Sequence, residues 1–108
     1  MVADPLRVAS GFFARLCGLM GRAGLQPSEG LLLERCDAIH MMFMRFRIDA
    51  VFLRTGGEVL RVVEGLRPWL GIAWCPGAAS TLELAAGRAA LVGVRPGDTL
   101  VIEEASAP

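Results

Sequence analysis

Short apolar runs separated by turn residues dominate the chain after its first thirty residues. Asp49 to Arg54 and Glu58 to Glu64 are rich in Val, Leu and Phe, and Thr55-Gly56-Gly57 between them is a turn sequence. This stretch predicts a β-hairpin. Further strands are predicted at Pro5 to Ala9, Ser80 to Leu84 and Thr99 to Glu103. The short apolar runs Leu31 to Glu34 and Ile39 to Phe46 fit either a strand or a buried helix on periodicity alone.

Clear helical spacing occurs in one segment, near the N-terminus. Ser10 can cap a helix, and apolar residues then recur at steps of three and four residues as far as Met20. Ala85 to Leu91 predicts a second, brief helix that Gly93 ends. The sequence Arg95-Pro96-Gly97-Asp98 that follows is typical of a tight turn.

The segment Gly65 to Ala79 combines Pro and Gly with large apolar side chains, a composition that predicts a packed loop. Several strands against one clear helical repeat favour a mainly β fold. We expect a compact antiparallel β-sandwich or partly open barrel, with one N-terminal helix and one short C-terminal helix. The 108 residues leave too little chain for two cores, so we expect a single domain over residues 1–108 with its core at about 5–104.

The charge and composition of the chain argue against two classes of partner, nucleic acids and membranes. Eleven Arg residues, spread along the chain, balance 11 acidic residues, and no basic block is present to neutralise phosphates. We therefore expect no nucleic-acid partner. No apolar run approaches the roughly 20 residues of a membrane span, and the N-terminal residues lack an export signal, so we expect no membrane contact and a cytoplasmic location.

The cysteines also favour a cytoplasmic location. The chain has three of them, at irregular spacing and without a CxxC pair. They are Cys17, Cys36 and Cys75. An odd, irregular set predicts reduced thiols rather than a disulfide framework or a zinc ribbon.

Four segments of the chain follow one another in a recognisable order. They are Gly18-Leu19-Met20-Gly21-Arg22, Ile39 to Leu53, Thr81 to Leu84 with Gly87, and Gly93 with Pro96-Gly97-Asp98. This order resembles the family called domain of unknown function 192, small uncharacterised proteins of bacteria and archaea. The resemblance extends from about Leu6 to Glu103 and is strongest from Met44 to Leu53, where a Met and a basic residue precede Ile-Asp and an apolar strand.

The resemblance implies a β-sandwich with a helix near the N-terminus, and it implies no activity. Many secreted members of the family have a Trp near the position of Met42 or Phe43 and carry an export signal, and this chain has neither. Cys36 and His40 are similar to a cytosolic subset of the family instead.

Cys36, His40 and Cys75 supply the residue types for two kinds of chemistry. A metal site is disfavoured, because a four-residue step along a strand covers about 13 Å, whereas the ligands of one zinc lie within roughly 4 Å of each other. We therefore predict no metal and no cofactor. A thiol nucleophile activated by His40, with Asp37 or Asp49 orienting the imidazole, stays open as a hypothesis beside the plainer interpretation of small core thiols.

Asp49 opens an otherwise apolar strand and follows Arg45 and Arg47. If it is buried, its carboxylate must find a partner. One interpretation is a structural hydrogen bond or ion pair that fixes the turn. The other places Asp49 in a cleft with His40 and Arg45.

The Met- and Phe-rich segment from Met41 to Phe46 either fills the core or lines an adaptable surface. Two Trp residues in the Gly- and Pro-rich segment either cover the core or form a wall of a binding site. The residues that we expect to bind a ligand are Met42, Met44, Arg45, Trp69 and Trp74.

Three functional classes remain open. The first, which we favour, is an accessory domain that binds a small molecule or a partner peptide in a cleft shaped by the two Trp residues and the Met-rich segment. The second is a small thiol-dependent enzyme that uses Cys36 or Cys75 with His40, and Arg45 to stabilise an anion. The third is a structural or assembly protein, including a homodimer formed through exposed strand edges.

Overall fold

The computed structural model of the protein describes residues 2–9, 24–41 and 44–101. These ranges are mainly β, which confirms the expected fold class. The elements are β1 (Leu6–Ala9), β2 (Gly30–Glu34), β3 (Ala38–His40), β4 (Ile48–Leu53), β5 (Val59–Leu66), β6 (Ile72–Trp74), β7 (Ser80–Ala85) and α1 (Arg88–Val92). The N-terminal helix predicted from Ser10 to Met20 lies outside the described residues.

The strands form two sheets of unequal size. Five strands lie in the order β1-β2-β7-β4-β5, and β3 pairs with β6 in a separate two-stranded sheet. All pairs are antiparallel except β1 and β2, which run parallel. The expectation of an antiparallel fold is therefore wrong at this edge, because residues 10–29 provide the long connection that parallel neighbours need. The described strands form an open sheet and do not close into a barrel.

Both faces of the five-stranded sheet are covered. Strand β4 is buried at all six of its positions, which places it in the middle of the core. One face of the sheet packs against the inward residues Ile39 and Ala73 of the two-stranded sheet. The other face packs against Ala89 of α1 and Val94. The two-stranded sheet is thus an outer layer, and its far side is left to solvent.

Asp49 joins three elements through a fully buried carboxylate. Its Oδ1 accepts the backbone N–H of Gly65 at 2.9 Å, and its Oδ2 accepts those of Gly87 and Ala89 at 3.0 Å each. The β4–β5 register shifts beside Asp49, and the extra residue Gly65 has a φ of 63°, which favours glycine. Gly87 is the N-cap of α1 and has no side chain to cap the helix, so Asp49 caps it from the neighbouring strand.

The segment expected to be one packed loop, Gly65 to Ala79, is more regular than its composition predicts. Strand β5 continues to Leu66, and β6 lies in the middle of the segment. The brief C-terminal helix is confirmed as α1 and ends at Gly93 with a φ of 75°. The strand predicted from Thr99 is reduced, within the described residues, to a single bridge between Thr99 and Glu58.

Replacing Asp49 with Asn should destabilise the fold by about 3 kcal/mol, because an amide supplies one acceptor oxygen where two now receive three buried N–H groups. Chemical denaturation measures this free energy of unfolding. Asp98 provides the control, since its exposed carboxylate accepts only the N–H of Arg95 at 2.9 Å. Asp98→Asn should cost under about 1 kcal/mol, and an equal loss in the two variants would contradict the central role of Asp49.

Candidate functional site

The candidate thiols and the candidate histidine lie at opposite ends of the two-stranded sheet. His40 is exposed and pairs with Ile72 at one end. At the other end, the Cys36 thiol donates to the carbonyl of Ala38 at 2.9 Å, and the Cys75 sulfur lies 3.9 Å from the carbonyl oxygen of Pro76. Both thiols are free and half-buried against the core. The fold therefore does not assemble the thiol and imidazole pair that the enzyme hypothesis requires.

Asp49 and Arg45 do not form a cleft with His40. The Asp49 carboxylate bonds to the start of α1, which covers one face of the large sheet. The two-stranded sheet that carries His40 covers the other face. Arg45 is exposed just before β4. The hydrogen bonds of Asp49 are structural, in agreement with the first of its two interpretations.

The Met-rich segment contributes to the core where it is described. Met41 is fully buried and Met44 nearly so, and both belong to the cluster between the two sheets. Met42 lies outside the described residues. We therefore leave Met44 out of the candidate surface, because a buried side chain offers a ligand no contact area.

The outer side of the two-stranded sheet exposes two large apolar side chains of β6 opposite Ala38 and His40 of β3. In β6, Ile72 and Trp74 are 63% and 57% exposed, whereas Ala73 between them is buried. This is the alternation of a strand with one solvent-facing side. The preceding turn adds Trp69 and Leu70, which are 54% and 80% exposed. We refer to Trp69, Leu70, Ile72 and Trp74 together as the indole surface.

The turn that carries Trp69 is held in an unusual backbone conformation. Trp69 has a φ of 67°, the left-handed region that costs a bulky L-residue about 1 kcal/mol or more. Its N–H donates to the carbonyl of Met41 at 2.7 Å, and the N–H of Gly71 donates to the carbonyl of Arg67 at 2.9 Å. A Cβ on Gly71 would come within 2.7 Å of the Arg67 oxygen, so the turn requires glycine there. These contacts fix the backbone of the turn that carries Trp69.

A shallow depression of about 370 Å³ adjoins the indole surface. Its lining residues are Glu64, Gly65, Leu66 and Arg67 at the end of β5, and Leu70, Gly71 and Ile72 at the start of β6. Leu70 and Ile72 belong to both features, so the depression and the indole surface are continuous. At the far end of β6, Arg61 Nη1 of β5 donates to the carbonyl of Trp74 at 2.7 Å and bridges the two strands.

Glu83 is a buried acid that the sequence did not identify. It lies on β7 between Leu31 and Ala50 of the flanking strands and faces the two-stranded sheet. Its Oε2 is buried and has no hydrogen-bond partner, and burial raises the pKa of the Glu83 carboxyl from 4.5 to about 7. Thr81 on the same strand is also a buried polar residue, but its hydroxyl has a partner because it donates to the carbonyl of Cys36 at 2.9 Å.

Two kinds of feature are missing from the described ranges. No group of three His, Cys, Asp or Glu side chains in these ranges could hold a metal ion. No helix within them is long and apolar enough to cross a membrane.

Fold and surface together define a small, mainly β domain that exposes several large apolar side chains on β6 and the turn before it. The chain belongs to the family of domain of unknown function 192 (DUF192, uncharacterized ACR), whose model matches residues 3–102. Among curated proteins, none is significantly similar in sequence to the chain.

Two solved structures share the fold. One is a protein of unknown function from Novosphingobium aromaticivorans DSM 12444, with 24% sequence identity and a TM-score of 0.81 over 87% of this chain and 71% of that chain. The other is a candidate transcription regulator from Sinorhizobium meliloti 1021, with 28% identity and a TM-score of 0.81 over 87% of this chain and 78% of that chain. The first likeness shows the fold alone.

The pH dependence of stability tests the environment of Glu83. Because the folded-state pKa lies above the unfolded value of 4.5, the folded protein binds the extra proton between pH 4.5 and about 7. The contribution of Glu83 is therefore fully present below pH 4.5 and is lost as the pH rises through about 7, at most about 3 kcal/mol. Glu83→Gln should remove this loss, as measured by urea denaturation across the pH range. An unchanged pH profile in the variant would contradict the assignment.

The separation of Cys36 from His40 also has a kinetic consequence. If His40 activated the thiol, its removal would slow alkylation strongly, because the thiolate is the reacting form. We expect His40→Ala to leave the rate of Cys36 modification by iodoacetamide within about twofold. Mass spectrometry of the peptide that contains Cys36 measures this rate, and a tenfold decrease would restore the thiol-enzyme hypothesis.

Proposed function

We propose that this protein is a cytoplasmic bacterial binding domain that recognises a partner through the indole surface. The observation that carries the proposal is the exposure of two Trp, one Leu and one Ile within six residues, in β6 and the turn that precedes it. These are also the only two Trp residues in the chain. Large side chains of this kind are the usual anchors of binding sites, since they provide much contact area for little lost conformational entropy.

The size of the surface supports a functional role. With half or more of each side chain exposed, the four residues together present on the order of 500 Å² of apolar area. The largest apolar patch on a typical monomer is roughly 300–600 Å² and is often a binding site. The same area is below the roughly 800 Å² per partner of a standard protein–protein interface. It therefore fits a peptide segment or a small ligand better than a permanent homodimer.

The backbone at Trp69 supports the same conclusion. A glycine would adopt the left-handed conformation without strain, yet the chain places its largest side chain there and exposes half of it. Strain of this kind accumulates at sites where function constrains the residue.

The charge of the chain favours a protein partner over a nucleic acid. The Sinorhizobium relative is named as a candidate transcription regulator. Its resemblance does not extend the proposal to DNA, because this chain has a formal net charge of zero and its 11 Arg residues are dispersed. Contact with a protein that takes part in regulation, rather than with DNA, agrees both with the name of the relative and with the charge of this chain. The free half-buried thiols of Cys36 and Cys75 fit a reducing cytoplasm.

Intrinsic fluorescence tests the proposal, because both of its reporters lie in the indole surface. In the free protein we expect the red-shifted emission of hydrated indoles and efficient quenching by acrylamide. A library of small aromatic and aliphatic fragments, followed by ¹H–¹⁵N NMR, should shift the amides of residues 69–74 first. Trp74→Ala should weaken fragment binding about tenfold or more, because it removes the largest contact of β6.

Leu91 provides the matched control. It is 76% exposed on α1, which covers the opposite face of the large sheet. Leu91→Ala should leave fragment binding unchanged. Fragments that cluster elsewhere, or that bind the Trp74 and Leu91 variants equally, would reject the indole surface as the site. Sedimentation of the free protein checks the homodimer, for which we expect a monomer at micromolar concentration.

A further inference from the structure

The thiols of Cys36 and Cys75 lie at the same end of the two-stranded sheet, in the turns that adjoin its strands. Cys36 precedes β3, and Cys75 directly follows β6. The N–H of Cys75 donates to the carbonyl of Asp37 at 2.8 Å, so the ladder extends one position beyond the pair of Ala38 and Trp74. Cys75 is therefore opposite Asp37, and Cys36 is the next residue along the chain from Asp37.

The backbone spacing at this position suits a disulfide between the two cysteines. Opposite residues in a hydrogen-bonded antiparallel pair have Cα atoms about 5.5 Å apart, and a strand rises about 3.4 Å per residue. These spacings give a Cα separation of about 6.5 Å for Cys36 and Cys75. Disulfides usually join residues whose Cα atoms are roughly 4.4–6.8 Å apart.

Both side chains are turned towards the core side of the small sheet. Strict alternation from the exposed Ala38 would send Cys36 to the outer side. The chain bends at Asp37, however, and Arg35 has a left-handed φ of 55°. Cys36 consequently packs against the same buried cluster as Cys75. The two thiols thus share one side and one end of the sheet, and both are only half-buried.

The present contacts of the two thiols are weak. Cys36 donates to the carbonyl of Ala38 at 2.9 Å, and the Cys75 sulfur lies 3.9 Å from the carbonyl oxygen of Pro76. Because a thiol is a poor hydrogen-bond donor, little is lost when either side chain changes its χ1 rotamer. The hydroxyl of Thr81 meanwhile holds the carbonyl of Cys36 at 2.9 Å, so the backbone there stays in place.

We propose that Cys36 and Cys75 form a reversible disulfide on reaction with hydrogen peroxide, and that this bond fastens the end of the two-stranded sheet beside Trp74. One thiolate attacks a peroxide oxygen, the O–O bond breaks, the sulfur becomes a sulfenic acid and hydroxide leaves. The second thiolate attacks the sulfenic sulfur, the S–S bond forms and a second hydroxide leaves. The two thiol protons convert both hydroxides to water, so two thiols and one peroxide give one disulfide and two waters.

The half-burial of the thiols favours a small oxidant. Hydrogen peroxide needs little more room than water, whereas exchange with a larger disulfide requires that molecule to bring its own sulfur against the cysteine. In a reducing compartment such a bond is transient, and a dithiol reductant restores both free thiols by exchange. The disulfide forms without any ligand of the indole surface, so it goes beyond the proposed binding function.

Oxidation of the full-length native protein by hydrogen peroxide, followed by blocking of free thiols and tryptic digestion, tests the pairing. Trypsin releases the three cysteines in separate peptides, 16–22, 36–45 and 62–88. Cys17, outside the described residues, is an internal competitor. Loop closure in an unfolded chain favours Cys17 with Cys36, 19 residues apart, over Cys36 with Cys75, 39 residues apart. We expect the native protein to link 36–45 to 62–88 at least about tenfold more than either peptide to 16–22, and urea to remove this preference.

Amide hydrogen exchange measures the fastening. The protection factors of Ala73 and Cys75, which pair with β3, should rise at least about tenfold in the linked protein, whereas those of α1 should not change. Dithiothreitol should restore the original values. Predominant links to Cys17 or between molecules, or sulfinic acid at Cys36 and Cys75 without a link, would overturn the inference. Unchanged protection of Ala73 and Cys75 in the linked protein would overturn it as well.

Discussion

Three hydrogen bonds to the carboxylate of Asp49 connect the parts of this fold that local sequence cannot connect. Asp49 lies in the most buried strand, and its oxygens hold the bulge at Gly65 and the start of α1. The helix covers one face of the large sheet, which leaves the two-stranded sheet to cover the other. The bulge positions the end of β5, which lines the depression beside β6. The candidate site therefore depends on a fully buried residue that lies outside it.

The placement of β7 between two antiparallel neighbours explains the buried polar residues of the core. The polar and apolar residues of β7 alternate from Thr81 to Leu84. This pattern is typical of a strand with one solvent-exposed face, but both faces of this sheet are covered. Thr81 is satisfied by a carbonyl from the segment before β3, whereas Glu83 keeps an unpaired oxygen. Such a group lowers its desolvation energy by retaining a proton, which is the reason for its raised pKa.

The pattern of apolar and polar residues along the chain predicts some parts of the structure and misses others. The hairpin of β4 and β5 was predictable because a Gly-rich turn separates two runs with strong β propensity. Strand β6 was missed because its three residues lie between glycines and prolines, and a short strand on an outer layer needs no long apolar run. Glu83 was missed because its alternation with leucines is the pattern of an exposed residue. Only the tertiary layering decides that it is buried.

The candidate site residues were also only partly predictable from the sequence. Residue types alone could not place Cys36 and His40, and β3 carries His40 to the end of the two-stranded sheet opposite the thiols. Asp49 was recognisable because a carboxylate in an apolar strand needs partners, although those partners come from Gly65, Gly87 and Ala89. The exposure of Trp69 and Trp74 depended on which side of β6 faces the core, and the small Ala73 fills that side.

The energetics of the indole surface indicate the kind of interaction that it supports. Covering about 500 Å² of apolar area is worth on the order of 12 kcal/mol before losses. Association costs roughly 4 to 15 kcal/mol in lost freedom, so the apolar contact alone gives weak and unselective binding. Selectivity must then come from directional groups, and the charged side chains of Glu64 and Arg67 line the adjoining depression. A reversible partner that is recognised partly through charge fits this balance better than a permanent apolar assembly.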